Sequence, residues 1–422
     1  MHGVKLIVSG EGWIWLICAV SVAGVVIRPW RAPEAVWAVL GAVLLVVTGL
    51  LPLTAAWRGV LKGGDVYLFL AGMMLLSETA RREGLFDWVA EVAVVWSRGS
   101  RRRLFALIYG VGVLVTAVLS NDATAVVLTP AVLAVTKAAK APPAPYLLAC
   151  ALVANAASFL LPISNPANLV LFAGHMPTLA AWIARFLAPA GAAILATFFL
   201  LALVERRALQ GNMAAAQGIR RLSQGGRVAL AGLVLTAAGL LGASALGMAL
   251  GPTTFALGAM TAGVVLWRDR AAPWPLLMGV SWSVLPLVAG LFVIVEALER
   301  SGLVGRLAGA LGHASAADPG GPALAGVAVA LVGNLANNLP TGLLASASLA
   351  MAHASSRITD AVLIGVDLGP NLSVTGSLAT ILWLSALRRE GQTMGFWRFL
   401  RVGVVVMPPA LAAALATRAL LG

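Results

Sequence analysis

Two polar clusters interrupt apolar stretches of this chain, and each recurs about half a chain later. The first runs from Ser120 to Thr124 and reappears, with changes, between Asn334 and Thr341. The second runs from Ile163 to Asn168 and reappears between Asp367 and Ser377. Asn, Asp, Pro and Gly break helices, and unpaired backbone at membrane depth is tolerated only where protein buries it or a water-filled cavity reaches it. Duplicated breaks of this kind predict a transport site between two repeats.

The amide and hydroxyl side chains at these breaks could bind a small polar solute, because they both donate and accept hydrogen bonds. The candidate substrate-binding residues are Asn121, Thr124, Asn165, Asn168, Asn337, Asn338, Thr341, Asn371, Ser373, Thr375 and Ser377. An alternative role for them is to cap half-helices and support tight helix packing. No run of basic residues lies at the breaks, so a neutral or cationic substrate is favoured over a multivalent anion.

Two carboxylates in the same clusters, Asp122 and Asp367, are candidates for proton coupling. An ionisable group at membrane depth is expensive and by default indicates an ion or proton pathway. The alternative for Asp122 is a helix cap at the start of the second hairpin arm. Glu78 and Glu296 end apolar segments at the membrane edge, where a solvated or ion-paired state is expected.

The composition predicts an all-α integral membrane protein, because 60% of the 422 residues are hydrophobic and 11% are charged. The net charge of +13 comes from short basic clusters between apolar segments, which is typical of the positive-inside pattern rather than of a nucleic-acid-binding face. No phosphate-binding GxxxxGK[ST] motif occurs, so the chain does not resemble an ATP hydrolase, and no cofactor is expected. Cys18 and Cys150 lie in apolar segments and are expected to be packing residues.

The apolar segments predict two inverted repeats, with about ten transmembrane helices, two of them broken, and two re-entrant hairpins. An odd number of spans in each repeat makes the second inverted relative to the first. The predicted boundaries are residues 1–204 for the first repeat (hairpin at about 104–136, broken helix at about 145–173), 205–227 for a linker, and 228–422 for the second repeat (hairpin at about 322–350, broken helix at about 358–385). A charged and apolar stretch at 83–95 predicts an interfacial helix.

The basic residues predict the orientation. With non-crossing hairpins, most Lys and Arg residues, including those of the 205–227 linker, fall on one side, which should be cytoplasmic in a bacterial inner membrane. A twelve-span alternative lets the hairpin arms cross, but it places the basic residues of the 81–103 region outside.

The motifs resemble those of a known family. The run Ser120-Asn121-Asp122-Ala123-Thr124-Ala125-Val126-Val127-Leu128-Thr129-Pro130 resembles the first hairpin tip of the ion transporter superfamily, most closely that of the arsenite/antimonite efflux permeases. The run from Gly365 to Trp383 resembles the arsenical pump signature, and Asn337–Thr341 and Ser164–Asn168 are similar to further motifs of the same family.

The resemblance implies export of trivalent arsenic and antimony hydroxides from the cytoplasm in exchange for protons. Some family members pair with a separate soluble arsenite-stimulated ATPase, a partnership that these residues leave open. The largely uncharged trihydroxide agrees with tips rich in Asn and Thr. Since no thiol lies near either tip, we expect the substrate to be recognised by hydrogen bonds. No metalloid site built by thiolate ligation is expected. A sodium/proton antiporter or an organic-anion carrier of the same superfamily is the alternative.

Overall fold

The computed structural model describes residues 10–172, 176–214, 218–313 and 320–421. The helices of the first half are α1 (Gly10–Ile27), α2 (Glu34–Val47), α3 (Leu53–Lys62), α4 (Gly64–Arg82), α5 (Leu85–Trp96), α6 (Arg101–Val118), α7 (Asn121–Ala123), α8 (Thr129–Ala138), α9 (Ala144–Ala156), α10 (Pro166–Leu171) and α11 (Leu179–Val204). Those of the second half are α12 (Gln224–Ala245), α13 (Leu250–Asp269), α14 (Trp274–Gly279), α15 (Val284–Arg300), α16 (Leu303–His313), α17 (Gly321–Ala336), α18 (Asn338–Met351), α19 (Ser356–Leu368), α20 (Leu378–Arg389) and α21 (Phe396–Leu420).

The all-helical membrane fold is confirmed. Among the described residues, α1, α11, α12, α13 and α21 are long and apolar enough to cross a membrane, and the pair α3–α4, bent by 49°, makes a sixth candidate. The shorter apolar helices include α2, arms of the two hairpins such as α17, and halves of the broken helices such as α9. The helix predicted at 83–95 is α5. Two short helices, α3 and α14, were not expected from the apolar pattern.

The elements follow the same order in both halves. The short helix α3 before α4 corresponds to α14 before α15, and a hairpin, a broken helix and a long last helix follow each of them. The contacts between halves correspond as well. Helix α2 packs on α15 as α13 packs on α4, and the two last helices, α11 and α21, pack on each other. These exchanged contacts are what two related repeats produce, while the repeat boundaries themselves stay a prediction.

Glycines allow the closest approaches between the halves. A Cβ added at Gly258 of α13 would clash with the carbonyl oxygen of Gly72 in α4, and one added at Gly290 of α15 would lie 2.7 Å from the carbonyl carbon of Ala38 in α2. Backbones that approach this closely gain the van der Waals contact that holds helices together in lipid, where the hydrophobic effect offers little between them.

The segment between α11 and α12 is tied to the first half. Ser100 and Asn212 form an isolated antiparallel bridge. The Met213 amide donates to the Gly99 carbonyl at 2.9 Å, and the Ala214 amide donates to the Ala139 carbonyl at 3.0 Å. The linker therefore contacts the outer ends of the first hairpin's two arms.

We expect Gly258→Leu to destabilise the protein, by about 1–3 kcal/mol or more, since the new side chain meets backbone that cannot move without separating α4 from α13. The measurement is the thermal midpoint of the purified protein in detergent. Gly263→Leu in the same helix is the matched control, because nothing lies within 4 Å of a Cβ there. Equal midpoints for the two variants would contradict the close approach.

Candidate functional site

At each hairpin tip the chain turns and begins a new helix behind a polar capping residue. In the first hairpin, α6 ends at Val118, and the Ser120 hydroxyl caps α7 by accepting from the Ala123 amide at 3.2 Å. A π-helical turn, Thr124–Leu128, then joins α7 to α8. In the second hairpin, Asn337 has a φ of 72°, and its side-chain oxygen accepts from the Leu339 amide at 3.3 Å. Both tips are built from polar residues of the predicted clusters.

Each broken helix resumes behind a polar cap. Asn165 caps α10 by accepting from the Ala167 amide at 3.0 Å, and Ser377 caps α20 by accepting from the Thr380 amide at 3.1 Å. The Asn168 amide group lies within hydrogen-bond distance of the carbonyls of Ser158 (2.9 Å), Leu161 and Pro162 (both 3.3 Å). Asn168 thus pairs carbonyls that the break between α9 and α10 would leave open.

The starts of α7, α10, α18 and α20 surround one small cavity, with an empty volume of about 240 Å³. Its lining residues are Leu70, Asn121, Asp122, Asn165, Pro166, Asn338, Leu339, Leu378 and Ala379. Apart from Leu70, all of them lie in the first turn or at the cap of one of these helices. A helix start leaves backbone N–H groups unpaired and carries partial positive charge, so the cavity suits oxygen-bearing solutes.

A wider cavity of about 630 Å³ adjoins the small one. The two share Leu70, Asp122 and Pro166 as lining residues. The wider cavity extends along α4 to Ser77 and Glu78, and Gly279 and Ser281 line it from the other half of the chain. Asp122 therefore lies at the junction between a polar pocket and a passage toward the end of α4.

The two candidate coupling carboxylates have different surroundings. Asp122 is half-buried and makes no hydrogen bond or ion pair within the described ranges. Asp367 is fully buried, and its Oδ1 accepts from the Asn165 side-chain amide at 2.8 Å. Asp367 lines neither of the two cavities.

Asn155 is a buried polar residue that was not among the candidates. Its amide group lies 3.0 Å from Asn371 Oδ1 and 3.4 Å from Thr380 Oγ1, so it joins α9 to the second broken helix. Asn371 in turn donates to the Leu152 carbonyl at 2.9 Å. The repeat could have revealed Asn155. It precedes Asn165 by the same number of residues as Asp367 precedes Ser377, so the two residues occupy corresponding positions in the two halves.

The remaining candidates do not line the small cavity, and most of them hydrogen-bond at the breaks. Asn334 Oδ1 accepts from the Ser373 hydroxyl at 2.8 Å, and the Asn334 carbonyl accepts from the Thr375 hydroxyl at 3.0 Å. The Thr124 hydroxyl pairs with that of Thr116 at 2.8 Å. Thr341 lines a separate, mainly apolar cavity. Of the predicted set, Asn121, Asp122, Asn165 and Asn338 are brought together at one cavity.

The two glutamates at the membrane edge are ion-paired, as expected. Both carboxylate oxygens of Glu78 accept from Arg81, at 2.7 Å each. Glu296, at the corresponding place in the second half, pairs with Lys62 at 2.8 Å and Arg300 at 3.2 Å.

The two cysteines are buried, and neither lines the small or the wider cavity. Residues 10–172, 176–214, 218–313 and 320–421 contain no cluster of His, Cys, Asp and Glu that could hold a metal ion.

Comparison with known proteins gives consistent relatives. Residues 15–367 match the family model described as citrate transporter. The chain is 30% identical over 403 residues to an arsenical pump membrane protein of Escherichia coli (strain K12), covering 91% of this chain and 92% of that one. It is 29% identical over 368 residues to the protein of that name from Yersinia enterocolitica, covering 82% and 84% of the two chains.

A solved structure shares the fold. The crystal structure of the Alcanivorax borkumensis YdaH transporter, described as having an unusual topology, superimposes with a TM-score of 0.55 and covers 87% of each chain. The sequence identity is 16%, so this similarity concerns the fold alone.

Removing the bridge between the broken helices should destabilise the protein. Asn155→Leu leaves Asn371 Oδ1 buried without its 3.0 Å partner, which costs about 1–3 kcal/mol. We expect a lower thermal midpoint for Asn155→Leu and for Asn371→Leu, and a combined loss in the double variant smaller than the sum of the two. The exposed Asn212→Leu serves as a control. Additive losses would show that the two side chains do not interact.

Proposed function

Since this chain belongs to the arsenical pump membrane proteins of the ion transporter superfamily, we propose that it exports trivalent arsenic and antimony hydroxides from the cytoplasm in exchange for protons. The family membership makes it a multi-pass membrane transporter. The substrate, the coupling ion and the direction of transport are the proposed parts.

The observation that carries the proposal is the small cavity between the four helix starts. Asn121 and Asn338 line it, and their side-chain oxygens are buried and have no hydrogen-bond partner within the described ranges. A metalloid trihydroxide offers hydroxyl hydrogens to these oxygens and to Asp122, and oxygens to the first-turn N–H groups that the caps do not already pair. The cavity is tight, so loading requires the hairpin tips to move apart from the broken helices, in an elevator-like or rocking movement.

The charge pattern supports an orientation with the linker in the cytoplasm. The linker contacts the outer ends of α6 and α8, close to the basic residues Arg98 to Arg103. The wider cavity leads from Asp122 to Glu78 and its partner Arg81, which belong to the same basic side. We therefore propose that this cavity is the entry route from the cytoplasm.

The alternative substrates of related carriers fit the site less well. The matching family model is described as a citrate transporter. A tricarboxylate would require cationic side chains, whereas no Lys or Arg lines either of the two cavities and Asp122 adds negative charge. Sodium could bind an acidic residue such as Asp122, so the transport assay must compare arsenite with both ions.

We expect everted membrane vesicles containing the protein to accumulate radiolabelled arsenite when their lumen is acidic, without added ATP. A protonophore should collapse the accumulation, since the outward flow of protons drives it. Vesicles lacking the protein provide the background. Accumulation of sodium or citrate without arsenite would refute the proposed substrate, and arsenite accumulation that needs ATP and a second protein would refute the proton exchange.

Replacing both cysteines, Cys18→Ala with Cys150→Ala, should leave arsenite transport within about twofold of the wild-type rate. Both thiols are buried away from the two cavities, so no arsenic–sulfur bond is part of recognition. The rate is measured in the same vesicles and normalised to the amount of protein. Loss of efflux in a well-expressed double variant would overturn recognition by hydrogen bonds alone.

A further inference from the structure

We propose that the transported hydroxide and the proton compete for one carboxylate, Asp122, and that Asp367 is a positioning residue that takes no part in proton exchange. This inference rests on the proposed function, and it selects between two acids that the chemistry of the residues leaves equivalent.

The position of Asp122 gives it access to both partners. It lines the small cavity beside Asn121 and Asn338, and it also lines the wider cavity that extends to Glu78. Its carboxylate has no hydrogen-bond or ion-pair partner among the described residues, so its oxygens are available to a solute. A proton that enters through the wider cavity therefore reaches a residue that also lines the small one.

The neighbouring charges leave Asp122 without a competitor. Glu78 is the other charged residue of the wider cavity, and Arg81 engages both of its oxygens. The helices that pack on α7 are α6, α9 and α20. Their ionisable side chains are Arg101, Arg102, Arg103, Tyr109, Tyr146, Cys150, Arg388 and Arg389, and none of these lines either cavity.

The position of Asp367 fits a different role. It is 0% exposed and lines neither cavity, so neither the solute nor a proton from the passage meets it directly. Its Oδ1 holds the amide group of Asn165, whose own oxygen caps α10 at the Ala167 amide. Asp367 therefore orients Asn165, the residue that caps α10 and lines the small cavity.

Competition at one carboxylate is sufficient for exchange. Ionised Asp122 accepts hydrogen bonds from substrate hydroxyls on both oxygens. Protonation turns one oxygen into an O–H donor and removes the negative charge, which weakens the hold on the hydroxyls and releases the substrate. The corresponding residue of the second hairpin is Leu339, so no second acid is present in the small cavity to bind both at once. If the site reorients only when it is loaded or protonated, each outward movement of substrate is followed by an inward movement of a proton.

Proton release on binding provides the direct test. Arsenite is added to the purified wild-type protein in weakly buffered solution that contains a pH indicator, at a pH where Asp122 is largely protonated. We expect about one proton released per arsenite bound, and an apparent affinity that falls about tenfold for each unit of further acidification. Asp122→Asn, which resembles the protonated carboxyl, should bind more weakly, without proton release and with no such pH dependence.

Asp367→Asn is the matched comparison, because it makes the same substitution at the other candidate carboxylate. We expect it to weaken arsenite binding by about three- to tenfold through the loss of a well-oriented Asn165, while proton release and the pH profile stay as in wild type. A role of Asp367 in proton exchange would instead change the pH profile, which a purely positioning role does not move.

Flux measurements separate coupling from folding. In proteoliposomes, Asp122→Asn should lose accumulation driven by a pH gradient but retain downhill arsenite movement, because an uncharged site can reorient empty. Asp122→Glu should keep proton-driven accumulation with a displaced pH profile, which shows that the position tolerates substitution.

The outcomes distinguish this inference from the function on which it rests. A wild-type protein that neither binds nor moves arsenite would overturn both. Proton release that persists in Asp122→Asn, or that disappears in Asp367→Asn with Asp122→Asn unaffected, would overturn the assignment of the carboxylate and leave the proposed arsenite export standing.

Discussion

Every helix that starts inside a membrane must find partners for its first amide groups within the protein, because hydrocarbon supplies none. Here four helices start near the same point, and Ser120, Asn165, Asn337 and Ser377 each supply an oxygen to the backbone that follows. Once the caps are made, the remaining polar groups of the first turns enclose a cavity. The site is thus a consequence of how the breaks are stabilised, and Asn165 serves both purposes by capping α10 and lining the cavity.

Contacts between the two halves of the chain stabilise this arrangement. Helix α2 packs on α15 and α13 packs on α4, with glycines at the closest points. The two broken helices are joined by hydrogen bonds between Asn155 and Asn371 and between Asn165 and Asp367. Neither half encloses the cavity alone, since each supplies one hairpin tip and one broken helix. A movement of the hairpin tips against the broken helices therefore changes contacts between the halves.

Local patterns predicted most of the fold and part of the site. Pro, Gly and Asn within apolar runs marked the hairpins and the broken helices, because their effect on helices is local. Short α3 and α14 were missed since a brief helix at a bend leaves little periodicity. The role of each asparagine could not be predicted: Asn168 pairs carbonyls of its own break, whereas Asn121 lines the cavity. Asn155 was overlooked because its importance depends on which helices meet.

The unequal distribution of acids between two otherwise corresponding tips has an electrical consequence. In the proposed exchange, a neutral hydroxide that leaves while a single proton enters on Asp122 would move one elementary charge inward per cycle. The membrane potential then acts on the exchange in addition to the pH gradient, and contributes about 2.3 kcal/mol for each 100 mV, negative inside. Had the second tip carried an acid in place of Leu339, two charges would move per cycle. One side chain would thus set how steeply export depends on the energised state of the cell.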